Sequence, residues 1–499
     1  MPCTGGAYHC VACFYLDNLV AVGVLSSTLD NVEKLCVMLV NVVAYAAVRL
    51  DDDFTEKSAL VVQLCCRNKI FDFDRAVAAA HILAYVKLVF VRINNHNKSL
   101  LSEILPQIDF NFNNRLPFRR FCYRMFSEVT EMNMNFYVGT KVITGVGCVR
   151  ANADKLESFG RKCIIVTGKS SAEKCGALGD VKAALESIGT EYVIFNGIRQ
   201  NPTVSSCFEA AEIANDFGAD YVIGIGGGSP LDASKAVAVA MANPKISEDD
   251  LYALNWENRP LKVVAVGTTA GTGSEVTSVS VLTNSQGRKK SFRHDTTYPA
   301  LSFGDPTYTT FMSDNFTRST AVDALCHCAE SFFNRLANDI SKSFAVEGTI
   351  KLMKIFRKIA AEGTENLTAD DREELYNASL YGGYAISVTG TAFPHALSYF
   401  LTENYGISHG TACAVFLNEF IDHACEFVPE IAEEFFTRIN SNAGEFKFLV
   451  EAVTPKIDVK LTDEDIEVLS PRWVGNRSLA KNHGTIDKDF VNSLLRRMF

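Results

Sequence analysis

A chain of 499 residues is too long for one ordinary domain, so two or three are expected. Hydrophobic residues make up 47 % and charged residues 21 %, which excludes a largely disordered chain and leaves ample material for packed cores. A formal net charge of −10 excludes a general nucleic-acid binder, which needs a basic face against phosphates.

Residues 1 to about 131 differ in texture from the rest, and no fold is assigned to this extension. It holds Cys3, Cys10, Cys13, Cys36, Cys65, Cys66 and Cys122, out of 15 cysteines in all. Cys10 and Cys13 form a CxxC beside His9, but a zinc site needs about four ligands and no second pair follows, so unpaired thiols are expected. No lysine or arginine precedes Lys34, so no basic leader region is expected. The apolar run 35–48 contains Asn41 and is too short to span a bilayer, so a cytoplasmic, reducing setting is expected and membrane association is not.

From Met134 strands and helices alternate. Short buried strands are predicted at 162–168, 191–195, 221–226 and 262–266, with helices at 181–188, 204–217 and 233–242 between them. Alternation of this kind predicts a parallel sheet covered by helices, an α/β dinucleotide-binding domain over 134–307. After about Asp305 the strand signals stop. Helical spacing at 319–334, 341–361 and 370–384 predicts an all-helical domain over 308–499.

Two loops carry a cofactor signal. Gly224-Ile-Gly226-Gly227-Gly228-Ser229-Pro230 follows a strand and opens a helix. Glycines let the backbone approach a ligand, and the free N–H groups at a helix start favour an anion. The spacing differs from GxGxxG, and a tight strand-to-helix turn would use similar residues. The second loop, Thr268-Thr269-Ala-Gly-Thr272-Gly-Ser274-Glu275, follows the next buried strand and offers hydroxyls among small residues. Two such loops at successive strand ends favour a ligand site over two chance turns.

A metal signal lies further on. Asp323 and His327 are four apart in a helical stretch and share a face. His395 and His409 follow, each among small residues. Three imidazoles and a carboxylate can fill four positions on a divalent ion and leave one for a substrate oxygen. Taken singly, a helical histidine is more often a packed structural residue, and Asp323 with His327 could be a simple helical hydrogen bond. Cys326 and Cys328 flank His327 on other helix faces and are assigned to packing.

Together these motifs, from about Met134 to the end, resemble the iron-containing (group III) alcohol dehydrogenases. The resemblance implies an α/β dinucleotide-binding domain followed by a helical metal-binding domain of dehydroquinate synthase-like architecture. It implies Asp323, His327, His395 and His409 as metal ligands, with iron as the usual metal and zinc as the alternative. Gly226, Gly227, Gly228 and Ser229 would hold the pyrophosphate, and Thr268, Thr269, Thr272 and Ser274 the ribose and nicotinamide. Lys290 resembles the family lysine near the cofactor, and Asn201 the asparagine at the cleft edge. Two departures stand out. Tyr399 occupies a position where many relatives carry a histidine implicated in proton relay, so the relay would run through Tyr399 or water. Gly168 stands where NAD-preferring members often have Asp. With Ser170 and Ser171 beside it, Gly168 would accept a 2′-phosphate, so NADP is expected ahead of NAD.

The implied reaction is hydride exchange between a nicotinamide cofactor and a primary alcohol or aldehyde, assisted by a Lewis-acid metal. A homodimer is compatible with it. A lyase resembling dehydroquinate synthase is the first alternative, and the wording of the two glycine loops favours the dehydrogenases. The second is a binding or membrane-associated module in residues 1–131 with a passenger enzyme, and the third is upstream sequence without a function of its own joined to an enzyme that begins near Met132 or Met134.

Overall fold

Residues 136–499 are described by the computed structural model. The extension before them, with His9, Cys10 and Cys13, lies outside the described residues. The strands in chain order are β1 (Lys141–Thr144), β2 (Lys162–Gly168), β3 (Glu191–Ile198), β4 (Tyr221–Gly226), β5 (Lys262–Gly267), β6 (Val279–Thr283), β7 (Lys289–Arg293) and β8 (Leu301–Gly304). Six of them form one sheet in the order β1-β8-β5-β4-β2-β3, every neighbouring pair parallel. The remaining two, β6 and β7, pair antiparallel as a hairpin.

The strands are apolar on both faces because helices cover both. Ile164, Val166, Val222 and Val263 pack beneath the helices α1 (Val204–Phe217) and α2 (Gly228–Ala242). Cys163, Ile165, Ile223, Ile225, Val264 and Val266 face the other way, against Val181, Ala184 and Leu185 of the helix Ala177–Ser187. Thr203 caps α1 by accepting from the Ser206 N–H, and Gly218 at φ 76° ends it. From Pro230 to Met241 only Asp232 of α2 is not fully buried, and the sequence there is rich in alanine.

Strands end at Gly304, and the first long helix starts at Asp314, so the expected division at 307/308 falls within the short 3₁₀ helix Pro306–Phe311. Five helices build the part that matters for the site: α3 (Asp314–Phe332), α4 (Asp339–Glu362), α5 (Ala369–Thr389), α6 (Phe393–Tyr405) and α7 (His409–Ala414). No helix among the described residues is long and apolar enough to cross a membrane. All cysteines among the described residues are free.

The last row of the sheet is glycine: Gly226 pairs in register with Gly267, and Gly267 with Gly304. A methyl group on Gly267 or Gly304 would overlap Tyr376 of α5, which rests on this row. Its hydroxyl donates to Glu275 Oε1 at 3.4 Å. Glu275 is 1 % exposed and its Oε2 has no partner. Burial pushes this carboxyl up from 4.5 to about 7. Between those values the folded protein binds the proton and the unfolded chain has lost it, so the stability contribution of Glu275 falls as pH rises and levels off above about 7. The stability difference between Glu275→Gln and the native chain should therefore move by about 3 kcal/mol in the variant's favour from acid to slightly alkaline pH. Urea unfolding of both proteins across that window measures it. A difference independent of pH would refute the assignment.

Candidate metal and cofactor site

Chain direction makes the first half of the site. From β2 the chain moves outward to β3, and from β4 it moves the opposite way to β5, so the crevice of this open sheet lies between the carboxyl ends of β2 and β4. Gly168, Ser170 and Ser171 follow β2, with both serines exposed. Gly226, Gly227, Gly228 and Ser229 follow β4 and open α2, whose start has no side-chain cap. The expected second loop meets the first. Thr268 N–H donates to the Gly226 carbonyl at 3.0 Å. A methyl on Gly227 would lie 2.9 Å from Thr269 Oγ1, and one on Gly228 would lie 3.0 Å from Thr272 Cγ2. Thr269 Oγ1 is buried without a partner.

Two expected cofactor residues also make contacts within the fold. Ser274 is buried and its hydroxyl is already committed, donating to Asp232 Oδ1 at 2.5 Å and accepting from Lys235 Nζ at 2.8 Å. It braces α2 rather than presenting a free hydroxyl. Asn201, at φ 57°, uses its carbonyl to accept from Thr283 Oγ1 at 3.2 Å, tying the end of β3 to the hairpin.

The second half is built on α3. Asp323, His327 and Glu330 recur at i, i+4 and i+7 and form one polar stripe on a helix buried on every side from Ser319 to Phe332. Opposite it, α6 carries His395 and α7 carries His409. Gly410 lets α7 approach closely, since a methyl there would overlap the Ser319 carbonyl of α3. Ligand atoms of Asp323, His395, His409 and Cys413 lie within 4.8 Å of one another. His327 lies beside this group, its ring stacked on His395 with centroids 4.7 Å apart.

These residues fit a cation. Asp323 Oδ1, His395 Nε2 and His327 Nδ1 are buried with no hydrogen-bond partner, and 3.6 Å separates the first two. An arrangement of unsatisfied acceptors in a buried site is costly unless an ion binds them. Burial works against the Asp323 charge, yet His327, His395 and His409 together hold the carboxyl well below its usual range. Burial, with Lys289 next in weight, drives His409 well below the ordinary imidazole value, and burial lowers His327 as well. The direction of both shifts favours the neutral imidazole, the form that ligates metal.

Sequence reasoning did not pick out Glu330, although its i+7 spacing from Asp323 was a usable signal. Its Oε1 lies 2.5 Å from His395 Nδ1, and its Oε2 accepts from the Ala392 N–H at 2.5 Å. A carboxylate behind a ligating imidazole fixes which nitrogen faces the metal and raises its basicity. Glu330→Gln is expected to weaken metal binding about 10- to 100-fold, as loss of such a partner generally does. Competition with a chelator measures this, and unchanged affinity would refute the role.

The hairpin corrects the lysine expectation by one residue. Lys290 is exposed and its Nζ sits 4.3 Å from the ring centroid of Tyr252, on the side away from the histidines. Its neighbour Lys289 faces the site, with Nζ 5.5 Å from the Tyr399 ring and its N–H donating to Glu403 Oε1 of α6 at 2.9 Å. Successive strand residues point to opposite faces, so a one-residue offset reverses the side chain. Tyr399 lies over His409 with centroids 6.1 Å apart, and burial pushes its phenol up to about 12. It therefore holds its proton at neutral pH.

The two halves are in direct contact. A methyl on Gly271 of the second glycine loop would overlap Thr320, one turn before Asp323 on α3. The signature described as "Iron-containing alcohol dehydrogenase" matches residues 139–306, and "Fe-containing alcohol dehydrogenase family, C-terminal" matches 317–499. The chain is 33 % identical to 1,3-propanediol dehydrogenase of Citrobacter freundii over 304 residues, covering 59 % of this chain and 74 % of that protein. It is 31 % identical to lactaldehyde reductase of Escherichia coli over 292 residues, 57 % of this chain and 74 % of the relative. Among solved structures, an iron-containing alcohol dehydrogenase from Thermotoga maritima superposes with a TM-score of 0.68 at 32 % identity, covering 73 % of this chain and 99 % of that one.

Proposed function

Because this chain belongs to the iron-containing alcohol dehydrogenase family, we propose that it interconverts a primary alcohol and its aldehyde using NADP(H) in preference to NAD(H), with ferrous iron ahead of zinc as its metal. It is an oxidoreductase of alcohols and aldehydes linked to a nicotinamide cofactor. The reading of its site rests above all on one observation, the unpartnered, buried Asp323 Oδ1 and His395 Nε2 set 3.6 Å apart.

Each residue then has a task. Asp323, His395 and His409 hold the metal, and His327, with a free Nδ1 beside them, completes the imidazole set. Gly226, Gly227, Gly228 and Ser229, at the positive end of α2, bind the pyrophosphate through backbone N–H groups. Thr268, Thr269 and Thr272 line the path of ribose and nicotinamide toward α3. Packing of Gly271 on Thr320 brings that loop against the metal helix, which orients the cofactor ring toward the substrate. Lys289 places a cation beside Tyr399, and Tyr399 keeps a phenolic proton at the site. When bound, the metal supplies Lewis-acid polarisation of the substrate oxygen and the nicotinamide supplies or takes the hydride. We place the enzyme in the cytoplasm.

Purified protein loaded with iron or zinc and assayed against short aldehydes with NADPH and NADH tests this reading. Metal-dependent oxidation of NADPH is the expected result. Failure of every aldehyde with either cofactor, in protein that retains metal, would overturn it.

A further inference from the structure

Cys413 is the one residue of the metal cluster that the spacing of acids and histidines leaves out. It follows His409 by four residues on α7, so both side chains leave the same face of the helix. Its Sγ is 3.8 Å from either ring nitrogen of His409. The side chain is completely buried at the edge where the apolar core of the helices meets the polar cluster. Its sulfur belongs to the set of donor atoms lying within 4.8 Å of one another, with Asp323, His395 and His409. Within this same set the buried Asp323 Oδ1 and His395 Nε2 have no partner. Cys326 and Cys328 make the contrast. Both are equally buried on α3, and neither shares a site with unpartnered donor atoms in this way.

We propose that Cys413 is a sulfur ligand of the metal, so that the ion is held by a mixed carboxylate, imidazole and thiolate set. The proposal rests on the metal reading above and goes beyond the four residues assigned there. On coordination the thiol gives its proton to solvent and the sulfur donates a lone pair to the ion, with no change of oxidation state. A thiolate is a softer donor than carboxylate or imidazole, so it narrows the lead that iron holds over zinc at this site.

The full-length protein is loaded with zinc or with cobalt(II) under anaerobic conditions. X-ray absorption at the zinc edge of the native protein should show a sulfur neighbour at about 2.3 Å. The cobalt form should show a sulfur-to-metal charge-transfer band in the near ultraviolet. Cys413→Ala should lose that band while keeping bound metal, with affinity reduced about 10-fold or more. If the alanine variant does not fold, the absorption spectrum of the native protein still decides. Metal bound with only nitrogen and oxygen neighbours would overturn the sulfur ligand and leave the metal site standing. Native protein that retains no metal would overturn both.

Discussion

Asp323→Asn is expected to empty the metal site and lower kcat/KM by roughly 10³-fold or more, since a Lewis-acid metal contributes several kcal/mol to the transition state. The substitution keeps the shape of the side chain, so the packing of α3 is preserved. What it removes is the negative charge that the three imidazoles surround. Asp323 also sits where its loss is not compensated, because Glu330 is turned to the far side of His395 and its second oxygen is engaged by Ala392. His327→Ala should also lose metal and turnover. Nucleotide binding should survive in both variants, since Gly226, Gly227 and Gly228 lie on α2 and β4 rather than on α3. Metal analysis with fluorescence titration of NADPH separates the two effects. Either variant retaining full metal and normal turnover would remove that residue from the ligand set.

Gly168→Asp is expected to reverse the cofactor preference. The structure gives this test unusual freedom from steric artefact. A methyl on Gly168 would meet only the Ile198 carbonyl and Ser171 Oγ, both at 3.5 Å, which is ordinary contact. A carboxylate there would repel the 2′-phosphate of NADPH and accept from the ribose hydroxyls of NADH. A mismatch of that kind costs roughly 1–3 kcal/mol, or about 5- to 150-fold in the ratio of kcat/KM values. Native protein that already favours NADH, or a variant with an unchanged ratio, would contradict the assignment of Gly168, Ser170 and Ser171.

Much of this molecule was legible without coordinates, because period and punctuation are local. Strand β4 and helix α1 fall where their apolar runs put them. The glycine and threonine loops were recognisable because a backbone that must approach a phosphate excludes side chains, and that exclusion is written in residue type. Asp323, His327, His395 and His409 were legible as chemistry, though nothing in their spacing shows that three separate helices meet.

Other features needed the tertiary structure. Ser274 reads as a free hydroxyl in its loop, and only the approach of α2 turns it inward to Asp232 and Lys235. Lys289 and Lys290 are indistinguishable as a charged pair, and the register of the hairpin alone decides which one reaches Tyr399. Glu330 becomes a support for His395 only when α6 is laid across α3. Cys413 joins the cluster because Gly410 allows α7 to close against Ser319. The sequence by itself determined which chemistry this protein carries, since residue type and local periodicity report it directly. Tertiary structure decided which copies of each residue type take part, because facing depends on register and on helix approach across distant segments, and neither is encoded locally.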